Sequence, residues 1–126
     1  RYRQRYRERT AALFPTLLRD EVRLRQYGRS DRVFDRLLAD DPSNGEVWFA
    51  KGEVARLRAG AGDAERAKAA YLSGVSTGRA PPELYRSLGQ VELASGRRDE
   101  AARWMERYFE ARPDAPDREA VRALLQ

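Results

Sequence analysis

The chain has 126 residues and contains neither cysteine nor histidine. Disulfides, thiol nucleophiles, imidazole-activated serines and Cys or His metal ligands are therefore excluded within it. A lack of cysteine fits any redox compartment, so envelope and cytoplasm both stay open. Isoleucine is absent as well and valine is scarce, which argues against a sheet. Lysine occurs only as Lys51 and Lys68. No apolar run approaches the roughly 20 residues of a membrane span, and no signal-peptide pattern is visible. The chain opens on Arg rather than Met. It is expected to be a piece of a longer or processed protein, with any targeting information upstream.

Hydrophobic residues make up 41% of the chain and charged residues 36%. Ala, Leu, Arg and Glu dominate, all good helix formers, so one all-α domain is expected. The net charge of +5 is unevenly placed. Five Arg and one Glu fall in RYRQRYRER, residues 1–9, whereas the remainder is nearly neutral. Residues 1–11 read as a basic leading segment, a helical extension or a linker. Its Tyr and Arg have the chemistry to stack on single-stranded nucleic acid or to touch anionic lipid.

The rest reads as three helical hairpins. A first helix over 12–27 carries Leu17, Leu18, Val22 and Leu24, with Gly28 as its C-cap. Ser30 or Asp31 then caps a helix carrying Val33, Phe34, Leu37 and Leu38. The run Asp40 to Gly45 is a turn. The second unit starts near Glu46, with Trp48, Lys51, Gly52 and Ala55 on one face. Gly60-Ala61-Gly62 ends that helix, and Asp63 caps the next, which packs through Ala67, Ala70, Tyr71 and Gly74. The third unit runs from Pro82 to Arg112. Tyr85, Leu88 and Gly89 share one face of its first helix, and Asp99 caps a second that packs through Ala101, Ala102, Met105, Tyr108 and Phe109. After Pro113 and Pro116, Asp117 caps a short helix with Ala120, Val121, Leu124 and Leu125 inward. Such a helix covers the open end of a stack.

The spacing is periodic. Ala101 and Ala67 lie 34 residues apart, as do Ala67 and Val33, while Trp48 and Tyr85 lie 37 apart. An aromatic, then Leu and Gly, then a later Ala and a closing Pro resembles the tetratricopeptide repeat. Tyr85, Leu88, Gly89, Gly96, Ala101 and Pro113 carry the resemblance in the third unit, with Glu92 and Met105 where aromatics are usual. Trp48, Gly52, Ala67 and Tyr71 carry it in the second, which has Lys51 in place of Leu and three extra residues assigned to the Arg58–Asp63 turn. The first unit keeps only the spacing. The resemblance implies a right-handed α-solenoid over 12–126. Its units are about 12–44, 45–81 and 82–115, with a capping helix at 117–125.

It also implies a concave groove lined by the first helix of each hairpin. The groove positions are Arg19, Val22 and Arg23 in unit one, Phe49, Glu53, Arg56 and Leu57 in unit two, and Arg86, Gln90, Leu93 and Ala94 in unit three. Some relatives hold a peptide's C-terminal carboxylate with a Lys and Asn clamp. Here those positions are Pro15 and Arg19, Phe49 and Glu53, and Arg86 and Gln90, so the clamp is absent. The implied function is binding a peptide or helix of a partner protein. The arginines point to an acidic partner, unless they form a solvated face paired with Glu53 and its neighbours. A weaker resemblance joins the Ala-Gly-Ala-Gly-Asp stretch at 59–63 and the Glu110–Asp117 segment to the repeat tail of some bacterial envelope zinc metallopeptidases. It implies an accessory, non-catalytic role.

No catalytic residue, cofactor or metal is expected. Gly60-Ala61-Gly62 lacks the Gly-Lys-Ser/Thr ending of a phosphate loop, and Asp63 repels phosphate. Asp40 with Asp41 and Asp99 with Glu100 sit at turns and helix starts, where the helix dipole accounts for them better than general-acid chemistry does.

Overall fold

A computed structural model describes residues 27–126. Over this span the chain forms α1 (Tyr27–Asp40), α2 (Gly45–Arg58), α3 (Asp63–Ser76), α4 (Pro82–Ala94), α5 (Arg98–Ala111) and α6 (Arg118–Leu124). No strand occurs among the described residues. α2 with α3 and α4 with α5 form two hairpins, and with α1 before them they make a helical solenoid. The predicted first helix and the basic segment, with Arg19 and Arg23, lie outside the described residues. No described helix is long and apolar enough to cross a membrane.

Each hairpin closes on a glycine because a ring or thioether occupies the space a side chain would need. A Cβ on Gly52 would stand 2.3 Å from the Tyr71 ring, and one on Gly89 would stand 2.6 Å from Met105. Tyr71 and Met105 are fully buried, and the rigid Tyr71 ring leaves Gly52 no room for a side chain. Met105 thus does the packing of the usual aromatic, its flexible thioether filling the gap over Gly89. Three apolar clusters follow one another along the stack. Phe34, Leu37 and Val47 join α1 to α2. Tyr71, Leu84 and Leu88 join α3 to α4. Met105, Phe109 and Val121 seat α6 on α5. Trp48 is half-buried against the first cluster, and its indole Nε1 donates to the Pro42 carbonyl at 3.0 Å.

Several predicted caps fall elsewhere. α1 runs through Gly28 without the left-handed backbone of a cap, and Ser30 is buried inside the helix. The N-cap of α3 is Gly62, which puts Asp63 one residue inside, although its carboxylate still accepts the Gly60 N–H at 2.8 Å. Arg97, not Asp99, occupies the N-cap of α5. Val33, Ala120 and Leu124 face solvent. α6 is only seven residues long, and Val121 and Leu125 are the positions that meet α5. The three extra residues are also not all in the turn. One lengthens α2 beyond Gly52, one enters the loop, and one extends the start of α3 before Ala67, relative to α4 and α5. Spreading the insertion keeps Gly52 and Ala67 on their packing faces.

Buried carboxylates lock the turns of both hairpins. Asp63 accepts from Arg58 Nε at 3.0 Å and Nη2 at 2.8 Å, and from Arg66 Nη1 at 2.9 Å. The Arg58 guanidinium, with the Gly60 N–H and Arg66, holds the Asp63 pKa down at about 2 against the cost of burial. Glu92, where the repeat usually has an aromatic, is fully buried. It accepts from Arg97 Nε at 2.9 Å and lies 3.0 Å from Lys68 Nζ on α3. Hydrogen bonding from Arg97 leads the causes that hold its pKa down at about 2. Glu92 thereby ties α3, α4 and the turn into α5 together.

Both carboxyls titrate lower in the folded chain than unfolded. Their stabilisation is complete above pH about 5 and is lost as pH falls toward about 2. Glu92→Gln is expected to destabilise the chain by about 2 kcal/mol at pH 7 and to flatten the fall in stability between pH 5 and 2. Urea unfolding across that range checks it; an unchanged slope would remove Glu92 from the account.

Candidate functional site: the face shared by α2 and α4

The first helices of the two described hairpins meet at one side chain. Glu53 projects from the middle of α2, and its Oε1 accepts from Ser87 Oγ of α4 at 2.7 Å. The same oxygen accepts a short hydrogen bond from the Tyr71 hydroxyl of α3. Glu53 Oε2 accepts from Arg56 Nη2 at 2.8 Å, and Oε1 also from Arg56 Nε at 3.3 Å. The Glu53 side chain is 14% exposed. Burial pushes its pKa up, but the donors from Arg56, Tyr71 and Ser87 outweigh burial and hold it below the usual glutamate value. Burial, then the Glu53 charge, raises the Tyr71 phenol, which stays protonated as a donor. Arg56 is held charged by the same contact.

The side chains around this hub are half-exposed. Phe49 lies one turn before Glu53 and packs on the Tyr71 ring, centroids 6.3 Å apart. It is half-buried against the second core cluster, so one side of the ring is structural. Leu57, one turn beyond, is 46% exposed. On α4, Gln90 stands one turn beyond Ser87, half-buried and without a side-chain hydrogen bond among the described residues. Arg86 lies on the same helix with its Nε 2.7 Å from Asp117 Oδ2. Of the predicted site residues, Phe49, Glu53, Arg56, Arg86 and Gln90 thus fall on two neighbouring helices. Arg19 and Arg23 lie outside the described residues.

The arrangement differs in charge from the expected Arg-rich surface. Arg56 is bound to Glu53, and Arg86 is paired with Asp117. Arg112, just after α5, pairs with Glu83 in the first turn of α4. The predicted pairing of these arginines with nearby acids is thus present, and the face is close to neutral. Ser87 and Asp117 were not read as part of it. The residue pattern assigns Ser87 no role and marks Asp117 as a cap. Asp117 does occupy the N-cap of α6, but its side chain caps no N–H. Instead its Oδ1 accepts from the Tyr108 hydroxyl at 3.1 Å, and its other oxygen meets Arg86.

A separate cleft of about 310 Å³ opens between α1 and α3, lined by Trp48, Ala55, Ala69 and Ala70 with charged side chains beside them. Its charged rim is internally paired: Lys51 with Asp35 at 3.2 Å, and Arg58 and Arg66 with Asp63. Lys51, where the repeat usually has Leu, also lies 5.5 Å from the Trp48 ring centre. Among the described residues no group of three or more Asp or Glu is arranged to hold a metal ion.

This geometry agrees with the comparison to known families. The tetratricopeptide repeat model matches residues 16–61 and 55–116, most of the chain. The chain belongs to the tetratricopeptide repeat family, whose members generally mediate protein–protein interaction. No curated protein matches it.

Tyr71→Phe removes one donor to Glu53 and leaves the ring on Gly52. It is expected to cost about 2 kcal/mol, as for a hydrogen bond to a charged group, and to raise the Glu53 pKa. Thermal unfolding and a carboxyl titration of the variant check both. A variant as stable as the parent would show that the hydroxyl contributes nothing to the hub.

Proposed function

We propose that the chain is a protein-interaction module that holds a peptide or a helix of a partner in a concave groove lined by α2 and α4. Phe49 and Leu57 offer apolar contact, Gln90 offers hydrogen bonds, and Arg56 and Arg86 offer guanidinium groups. Glu53 positions Arg56 rather than touching the partner.

The observation that carries this reading is the contrast between the hub and its rim. Glu53 is saturated with donors, so the floor of the face is rigid and needs no ligand. Leu57 and Gln90 at the rim are exposed or unbonded and gain from a partner. A rigid floor with unsatisfied edges lowers the ordering cost of binding. Affinity is then expected to rest on a few anchors rather than on total area.

Peptides selected by display on the purified chain test the proposal. Their amide shift changes are expected at Phe49, Arg56, Leu57 and Gln90. Leu57→Ser and Gln90→Ala break no internal hydrogen bond, and each is expected to weaken binding about tenfold, roughly 1.4 kcal/mol. Selected peptides that map to the α1–α3 cleft, with both variants binding as the parent does, would overturn the groove assignment.

A further inference from the structure

The groove arginines are not equally committed to their internal partners. Glu53 is 14% exposed and takes hydrogen bonds from three side chains, two of them on other helices. Its bond to Arg56 belongs to the fold. Asp117 is 30% exposed, sits in the short connection before α6, and is held by Tyr108 and Arg86 alone. The Asp117 pair is also poorly made. Arg86 Nε lies 2.7 Å from the carboxylate, but its N–H does not point at it. That buried nitrogen has no directed hydrogen bond. A buried donor left unaligned carries a desolvation cost that a better-placed acceptor would remove.

The segment from 112 to 117 is otherwise fixed without Asp117. Ala115 is buried against the last core cluster, and Val121 seats α6 on Met105 and Phe109. Arg112 holds Glu83, the other acid near Arg86 on α4. The Asp117 side chain is thus able to change rotamer while the segment stays in place.

We propose that Asp117 is an internal stand-in for a partner's carboxylate: an acidic side chain of the bound peptide displaces it from Arg86 and takes both guanidinium edges. This rests on the groove reading above and adds the chemistry of the partner at the α4 end. Arg86, not Arg56, then sets the preference for an acidic residue, because the Glu53 carboxylate is too well held to be exchanged. A guanidinium meets a carboxylate best through two parallel N–H groups, a geometry the internal pair does not reach.

The test uses the whole chain and two blocked peptides, hexaglutamate and hexaglutamine, followed through backbone amides and the Arg86 Nε–H signal. Hexaglutamate is expected to shift the Arg86 signal at millimolar peptide, with hexaglutamine leaving it unmoved. Asp117→Asn keeps the acceptor for Tyr108 but frees Arg86, and is expected to lower the hexaglutamate midpoint at least threefold. Tyr108→Phe loosens Asp117 from its other side and is expected to lower it too, which guards against a local effect of the first variant on α6. Arg86→Gln is expected to abolish the response. Equal midpoints for the parent and both freed variants, or no response in any of them, would overturn the exchange. Shifts at Phe49 and Gln90 without movement at Arg86 would overturn the exchange but keep the groove. Shifts confined to the α1–α3 cleft would overturn both.

Discussion

A single half-buried carboxylate sets the geometry of the face shared by α2 and α4. Glu53 comes from α2, but its donors come from α2, α3 and α4, so three helices cannot slide past one another without breaking a charged hydrogen bond. The contact is possible only because Gly52 precedes it. With no Cβ there, the Tyr71 ring comes close against α2, and its hydroxyl reaches the carboxylate one residue on. The repeat's glycine therefore serves packing and polar order together. Burial alone would neutralise the acid, and the three donors keep it ionised.

The two hairpin turns solve a similar problem at the outer edge with opposite polarity of placement. In one, the acid opens the second helix, as Asp63, and the guanidinium ends the first, as Arg58. In the other, the acid ends the first helix, as Glu92, and the guanidinium stands before the second, as Arg97. In a chain with so many arginines, such buried acids give guanidinium groups a fixed place. Among the described residues Arg56, Arg58, Arg66, Arg86, Arg97 and Arg112 are paired with acids, and the face between α2 and α4 is nearly neutral.

The residues that made the repeat legible are those whose role is local and steric. Trp48, Gly52, Ala67 and Tyr71, and Tyr85, Gly89 and Ala101, recur because one helix must approach another closely, and that need has a fixed spacing. The turn residues around Pro42 and Pro82 stand at the breaks before α2 and α4. The charged positions were not legible in the same way. Glu92 looked like a departure from the pattern, and its function depends on Lys68 and Arg97 in two other elements. Asp99 and Asp117 had the chemistry of caps, but neither caps a helix N–H through its side chain, and Asp117 reaches Arg86 on another helix. Phe49, Glu53, Arg56, Arg86 and Gln90 were named from the family pattern, and they fall on α2 and α4. Which of them carry internal hydrogen bonds and ion pairs was decided in part by neighbours distant in sequence, such as Tyr71, Ser87 and Asp117.

The account's central claim is that the Glu53 carboxylate is stabilised by its donors more than it is penalised by burial. Nuclear magnetic resonance of the Glu53 side-chain carboxyl carbon through an acid titration tests it directly. The account predicts a midpoint below that of an ordinary glutamate. A midpoint at or above the ordinary value would mean that burial dominates, and would contradict a hub that joins α2, α3 and α4.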